Sequence, residues 1–134
     1  MTQEHKELIV KDLCARLPYG VKVRYSSYYK FITCTLQSIN PVYNIVDLWS
    51  KDACFNPVDI NKIKPYLFPL SSMTEEQKKE FYQLLELELK AINDEINHTQ
   101  ATEFEVDFYH KHHLDWRGLI PMGLAIDATD KNVY

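Results

Sequence analysis

The hydrophobic period of this chain changes twice, and those changes decide what it can fold into. In Glu4–Leu17 the apolar residues Ile9, Val10, Leu13, Cys14 and Leu17 fall on one stripe of a 3.6-residue helix. Pro18-Tyr19-Gly20 ends that helix, because proline cannot continue the hydrogen-bond ladder and glycine accepts the turn. From Val21 the period is two. Val21-Lys22-Val23-Arg24-Tyr25 alternates apolar with polar, and in Tyr29–Ile39 Phe31, Thr33 and Thr35 alternate with Ile32, Cys34 and Leu36. Ser26-Ser27 and Asn40-Pro41 are turn signals, Val42–Trp49 reads as a third strand, and Ala53–Phe55 as a short fourth. Consecutive strands joined by short turns form an antiparallel meander. Three or four of them after one helix are compatible with an SH3-like half-barrel.

Asn56–Ser72 reads as a connector punctuated by Pro57, Pro65 and Pro69. Its Ile60, Ile63, Tyr66, Leu67, Phe68 and Leu70 are expected to place it against the core, since a free linker is polar or rich in Gly and Ser. At Thr74 the helical period returns. Thr74-Glu75-Glu76-Gln77 is a capping box, and the helix it opens runs to about Asn97 with Phe81, Leu84, Leu85, Leu89, Ile92 and Ile96 on one stripe. His98–Thr102 is expected to break it, Glu103–His113 to form another helix, and Pro121–Ala125 a last helical piece. Ala128–Tyr134 is polar and expected to fray. The sum is an α+β chain forming a single domain over residues 1–134. Residues 1–70 give a helix and a meander, and residues 71–134 a helical part packed on them. Wide apolar stripes need another layer, so Ile9, Leu13 and Leu17 should share the core with Phe81, Leu85, Leu89 and Ile92.

At 134 residues, 46% hydrophobic and 25% charged, the composition is that of an ordinary globule. No apolar run approaches the roughly 20 residues that span a bilayer. The first residues lack a basic segment followed by a long apolar one, so the expected setting is the cytoplasm. Cys14, Cys34 and Cys54 agree: odd in number and unpaired in spacing, they read as reduced, half-buried thiols acting as small hydrophobes. The net charge of −4 is uneven, with nine Lys and Arg against six Asp and Glu in Met1–Leu70, and six against thirteen in Ser71–Tyr134. The basic residues are scattered singly, so charge does not argue for nucleic acid. A nucleic-acid surface would have to use the strand region with Lys22, Arg24 and Lys30. The acidic half suits solvent or a basic protein partner.

Asp107–Leu124 concentrates the chemistry: three histidines, two glycines and a tryptophan. On a helix Phe104, Phe108 and His112 share one face, which makes His112 a hydrogen-bonded core histidine. His110 and His113, at i and i+3, could reach one metal ion, but a third ligand from Asp115, Asp127 or His98 is unforced. A helix C-terminus that favours cations accounts for His110, Lys111, His112 and His113 without a metal. No metal site and no cofactor are expected. Gly-x-Ser-x-Gly, a P-loop and Gly-x-Gly-x-x-Gly are all absent from the 134 residues, and no catalytic residue can be nominated. Asp115-Trp116-Arg117-Gly118 reads as a turn with Trp116 buried and Arg117 paired to a carboxylate. Its functional alternative is a partner-binding surface made of Trp116 and Arg117 with His112 and His113 beside them.

Leu13-Cys14-Ala15-Arg16-Leu17-Pro18-Tyr19-Gly20-Val21 is the first of three blocks that carry a resemblance. The second is Ile63-Lys64-Pro65-Tyr66-Leu67 with Pro69-Leu70-Ser71-Ser72-Met73-Thr74-Glu75-Glu76. The third is His112-His113-Leu114-Asp115-Trp116-Arg117-Gly118-Leu119-Ile120. Together they resemble uncharacterised small proteins encoded by prophages and mobile elements of anaerobic gut bacteria. The resemblance implies a bacterial or phage origin and a cytoplasmic setting, and it carries no activity. It places an asparagine where this chain has His110, which weakens a metal site there. The expected function is a non-enzymatic protein-binding or regulatory module with a protein partner. The alternatives are a nucleic-acid-binding accessory protein and a metal-dependent hydrolase at His110 and His113.

Overall fold

The first helix, α1 (Gln3–Arg16), starts at Thr2, whose hydroxyl accepts the His5 N–H at 3.1 Å. The computed structural model describes residues 1–93 and 98–134, and side chains outside 88–103. A 3₁₀ turn at Leu17–Tyr19 closes on Gly20, whose φ of 71° is a left-handed conformation that glycine adopts without strain. Ile9 and Leu13 are fully buried against the sheet.

The meander follows as β1 (Lys22–Ser26), β2 (Phe31–Asn40), β3 (Ile45–Trp49) and β4 (Cys54–Asp59), each antiparallel to the next. The alternation is seen in β2: Cys34 and Leu36 are buried, while Phe31 and Thr33 face solvent. The connector departs from expectation. Most of it is strand: β4 extends to Asp59, and β5 (Ile63–Leu67) pairs antiparallel with β1, with Val23 opposite Pro65. Proline masks strands from a sequence reading because it cannot donate to a ladder. Here Pro57 lies in β4, at one end of the sheet order, and Pro65 is where β5 stops pairing with β1. From Tyr66 onward β5 pairs in parallel with β6 (Ile126–Asp127), so the six-stranded mixed sheet runs β4-β3-β2-β1-β5-β6.

The helix α2 (Glu75–Asn93) opens on the capping box: Thr74 N–H donates to Gln77 Oε1 at 3.0 Å, and Gln77 N–H to Thr74 Oγ1 at 3.1 Å. Its expected end at Asn97 lies outside the described residues. The next helix, α3 (His98–Lys111), includes His98–Thr102, the stretch expected to break a helix. That stretch holds no glycine or proline, and threonine lowers helix propensity only slightly.

The core also differs from the expected one. It joins Ile9, Val10 and Leu13 of α1 to Val23, Cys34, Leu36, Val46 and Leu48 of the sheet, and to Leu119, Leu124 and Ala125 near the C-terminus. Among the described residues none from α2 is part of it. Phe81 packs on α3 instead, with its ring 5.4 Å from Phe108 and 5.8 Å from Tyr109, and Leu85 is half-buried. Leu89 and Ile92 lie outside the described side chains. An amphipathic stripe demands a partner layer without naming it, and the aromatic face of α3 supplies one.

The C-terminal residues are tied down, not frayed. Ala128 is buried and its N–H donates to the Leu67 carbonyl at 2.8 Å. The Tyr134 hydroxyl donates to the Tyr66 carbonyl at 2.6 Å and accepts the Lys22 N–H at 3.0 Å, bridging β1 and β5 where their ladder ends. Pro121–Ala125 is a set of turns, not a helix. Among the described residues no helix is long and apolar enough to cross a membrane.

Candidate functional site

The chemistry expected in the C-terminal block is spent on holding the fold. Asp12 and Arg16, one turn apart on α1, are both 0% exposed and joined at 2.7 Å. Arg16 Nη2 also donates to the Leu114 carbonyl at 2.6 Å. The second oxygen of Asp12 takes Arg117 Nε at 3.0 Å, and the Arg117 guanidinium lies 4.1 Å from the Trp116 ring. Two ends of the chain therefore meet on one carboxylate. Trp116, half-buried, donates its indole N–H to His110 Nε2 at 3.0 Å. The buried Asp115 caps the turn through Gly118, accepting the N–H groups of Leu119 at 2.8 Å and Ile120 at 2.9 Å.

The histidines do not converge. His112 is half-buried, 4.7 Å from the Phe108 ring, with Nε2 3.1 Å from Glu80 and Nδ1 3.4 Å from Gln77 on α2. It joins α2 to α3. His113 has a φ of 57° after α3 has ended at Lys111, so the i, i+3 geometry that a shared metal would use is broken. Its ring stacks on Tyr134 at 3.8 Å, away from His110 on Trp116. Among the described residues no group of three His, Cys, Asp or Glu could hold a metal ion.

The cationic account of His110 and His113 also fails, because burial outweighs the helix dipole. Desolvation, with the Arg16 guanidinium nearby, pushes His110 below the usual imidazole value and His113 down to about 4. The unfolded chain then binds more protons than the folded one. Stability contributed by a neutral His113 is complete above about pH 6.5, the free imidazole value. It is lost as the pH falls from there through about 4. NMR titration of the His113 ring is expected to show a midpoint about 4. A midpoint at the free imidazole value would contradict this burial.

A different surface carries large aromatic side chains that face solvent. The turn between β1 and β2 is closed by Ser27, whose N–H and hydroxyl donate to the Lys30 carbonyl at 3.0 and 2.8 Å. Within that turn Tyr28 is 92% and Tyr29 98% exposed, and Phe31 just beyond it is 66% exposed. Turns are built from Gly, Asn, Asp, Ser and Pro, so two adjacent tyrosines add nothing to this one. Cations stand beside them. The Arg24 guanidinium is 4.1 Å from the Phe31 ring, and Lys62 Nζ is 5.3 Å from the Tyr28 ring. The register places Lys64 of β5 opposite Arg24 of β1, so the two charges sit on neighbouring strands. Among the described residues none of Arg24, Lys62 and Lys64 makes an ion pair.

Of the residues named from sequence, Arg24, Lys22 and Lys30 belong to this part of the sheet. Trp116 and Arg117 belong to the cluster on Asp12, His112 joins α3 to α2, and His113 stacks on Tyr134. Tyr28, Tyr29, Phe31, Lys62 and Lys64 were missed. The available signal was a Tyr-Tyr pair in a turn, followed by an alternation that turns Phe31 outward with Thr33. Lys62 and Lys64 were hidden by the connector reading of their strand. Scans against family models, curated proteins and solved structures match nothing to this chain.

Proposed function

We propose that this chain is a non-enzymatic binding module, an accessory or regulatory protein acting in the cytoplasm. Its contact surface is the aromatic and basic end of the sheet around the β1–β2 turn. The carrying observation is that Tyr28 and Tyr29 are 92% and 98% exposed outside the core, with Lys62, which makes no ion pair among the described residues, 5.3 Å from the Tyr28 ring. Tyrosine and arginine are among the side chains most used at binding hot spots. The expected Trp116–Arg117 surface is a poorer candidate, because Arg117 is 14% exposed and already paired to Asp12. A phage or mobile-element setting rests on the sequence resemblance.

Photo-crosslinking tests the reading. Tyr29→p-benzoylphenylalanine should give a discrete adduct when irradiated in the expressing cell. Tyr82→p-benzoylphenylalanine, on exposed α2, should give none. The Tyr29 adduct should fade in Lys62→Gln/Lys64→Gln. An absent Tyr29 adduct, or equal adducts from both positions, would contradict it. Tyr28→Ser/Tyr29→Ser is expected to change unfolding free energy by less than about 0.5 kcal/mol, as surface substitutions do. A larger loss in a urea titration would make these residues structural.

A further inference from the structure

The occupant of this face follows from its charge pattern, and the inference rests on the reading just given. The chain carries a net charge of −4, yet it has no Asp or Glu between Asp12 and Asp47. That acid-free stretch spans β1, the tyrosine turn and β2, while Lys62 and Lys64 come from the adjacent β5 side. The face is therefore locally cationic on a globally acidic molecule. Cations on a chain that repels polyanions elsewhere point to a polyanion bound at one place. The second feature is the set of planar rings, Tyr28, Tyr29 and Phe31, standing among those cations instead of in the core. An acidic peptide would satisfy the lysines but has no use for a row of exposed rings. A duplex hides its bases inside the stack. A single strand offers both groups at once: phosphates for the cations and unstacked bases for the rings.

We infer that the face formed by Arg24, Tyr28, Tyr29, Phe31, Lys62 and Lys64 binds single-stranded nucleic acid without sequence readout. Bases stack on the turn tyrosines, and the backbone runs across β1 and β5 past Arg24 and Lys64. Two aromatic residues at the tip accommodate about two bases, and three cations contact about three phosphates. The predicted salt dependence follows: log K falls with log salt with a slope of about −2, at about −0.7 per phosphate.

The test is fluorescence anisotropy of the full chain with labelled oligothymidylate and oligouridylate of about twelve nucleotides, and a duplex of equal length. Saturable binding of either single strand, stronger than to the duplex, is expected. Tighter binding of one of the two assigns DNA or RNA. Tyr28→Ser/Tyr29→Ser should weaken binding at least about tenfold with the salt slope unchanged. Lys62→Gln/Lys64→Gln should flatten the slope, and circular dichroism should show both variants folded. No saturable binding, equal binding of duplex, or a tyrosine variant that binds as the parent does would overturn the inference. If the oligonucleotides fail while Tyr29 crosslinks to a protein, this inference falls and the binding face stands. If Tyr29 also gives no adduct, both fall.

Discussion

Asp12→Ala is expected to cost about 3–5 kcal/mol of unfolding free energy, because it strips a buried arginine of its counter-charge. Asp12 accepts from Arg16 Nε at 2.7 Å with one oxygen and from Arg117 Nε at 3.0 Å with the other. Both Asp12 and Arg16 are 0% exposed, so solvent cannot replace the lost partner. Among the described residues Arg16 would keep only the Leu114 carbonyl, and its Nη1 is already buried without a partner there. A loss of this size is a large fraction of the 5–15 kcal/mol typical of a domain. Arg117→Ala should cost clearly less, since Asp12 still neutralises Arg16 and the Arg117 side chain is 14% exposed. Urea titrations of the two variants check the order. Equal losses, or an unchanged midpoint in Asp12→Ala, would mean this carboxylate does not hold the two ends of the chain together.

The second large effect separates the core from the helical hairpin. Leu13 is fully buried between α1 and the sheet, and Leu13→Ala is expected to cost about 2–5 kcal/mol through lost burial and the cavity left behind. Leu85 is only half-buried on α2, outside the main core, so Leu85→Ala should cost less than about 2 kcal/mol. Both values come from the urea midpoint at constant slope. A Leu85 loss as large as that of Leu13 would mean that α2 belongs to the core after all.

Local pattern was a good guide wherever a residue's neighbours along the chain decide its state. Ile9, Val10 and Leu13 of the first stripe are buried, and Cys34 and Leu36 alternate with exposed Phe31 and Thr33 as their periods require, but Leu17 is half-buried and Cys14, expected on the same stripe, is exposed. The Thr74–Gln77 capping box is local too, and it is present. What was not legible depends on partners distant in sequence. Asp12 and Arg16 are spaced like an ordinary surface pair at i, i+4. Their burial comes from Leu114 and Arg117 about a hundred positions away. Tyr134 ends a polar tail, and only its contacts with Tyr66, Lys22 and His113 explain why that tail is held. The candidate face was half legible. Lys22 and Arg24 lie in a strand that its alternation reveals, with Lys30 just before the next, but pairing Arg24 with Lys64 needs β5, which its proline disguises.

The binding face is tested most directly by ¹⁵N-resolved NMR of the full chain titrated with oligothymidylate. The account predicts concentration-dependent shifts of the backbone amides of Arg24, Tyr28, Tyr29, Phe31, Lys62 and Lys64. The Trp116 indole and the α2–α3 hairpin should stay in place. Shifts centred on Trp116 and Arg117, or running along α2 while the β1–β2 turn stays unmoved, would contradict it.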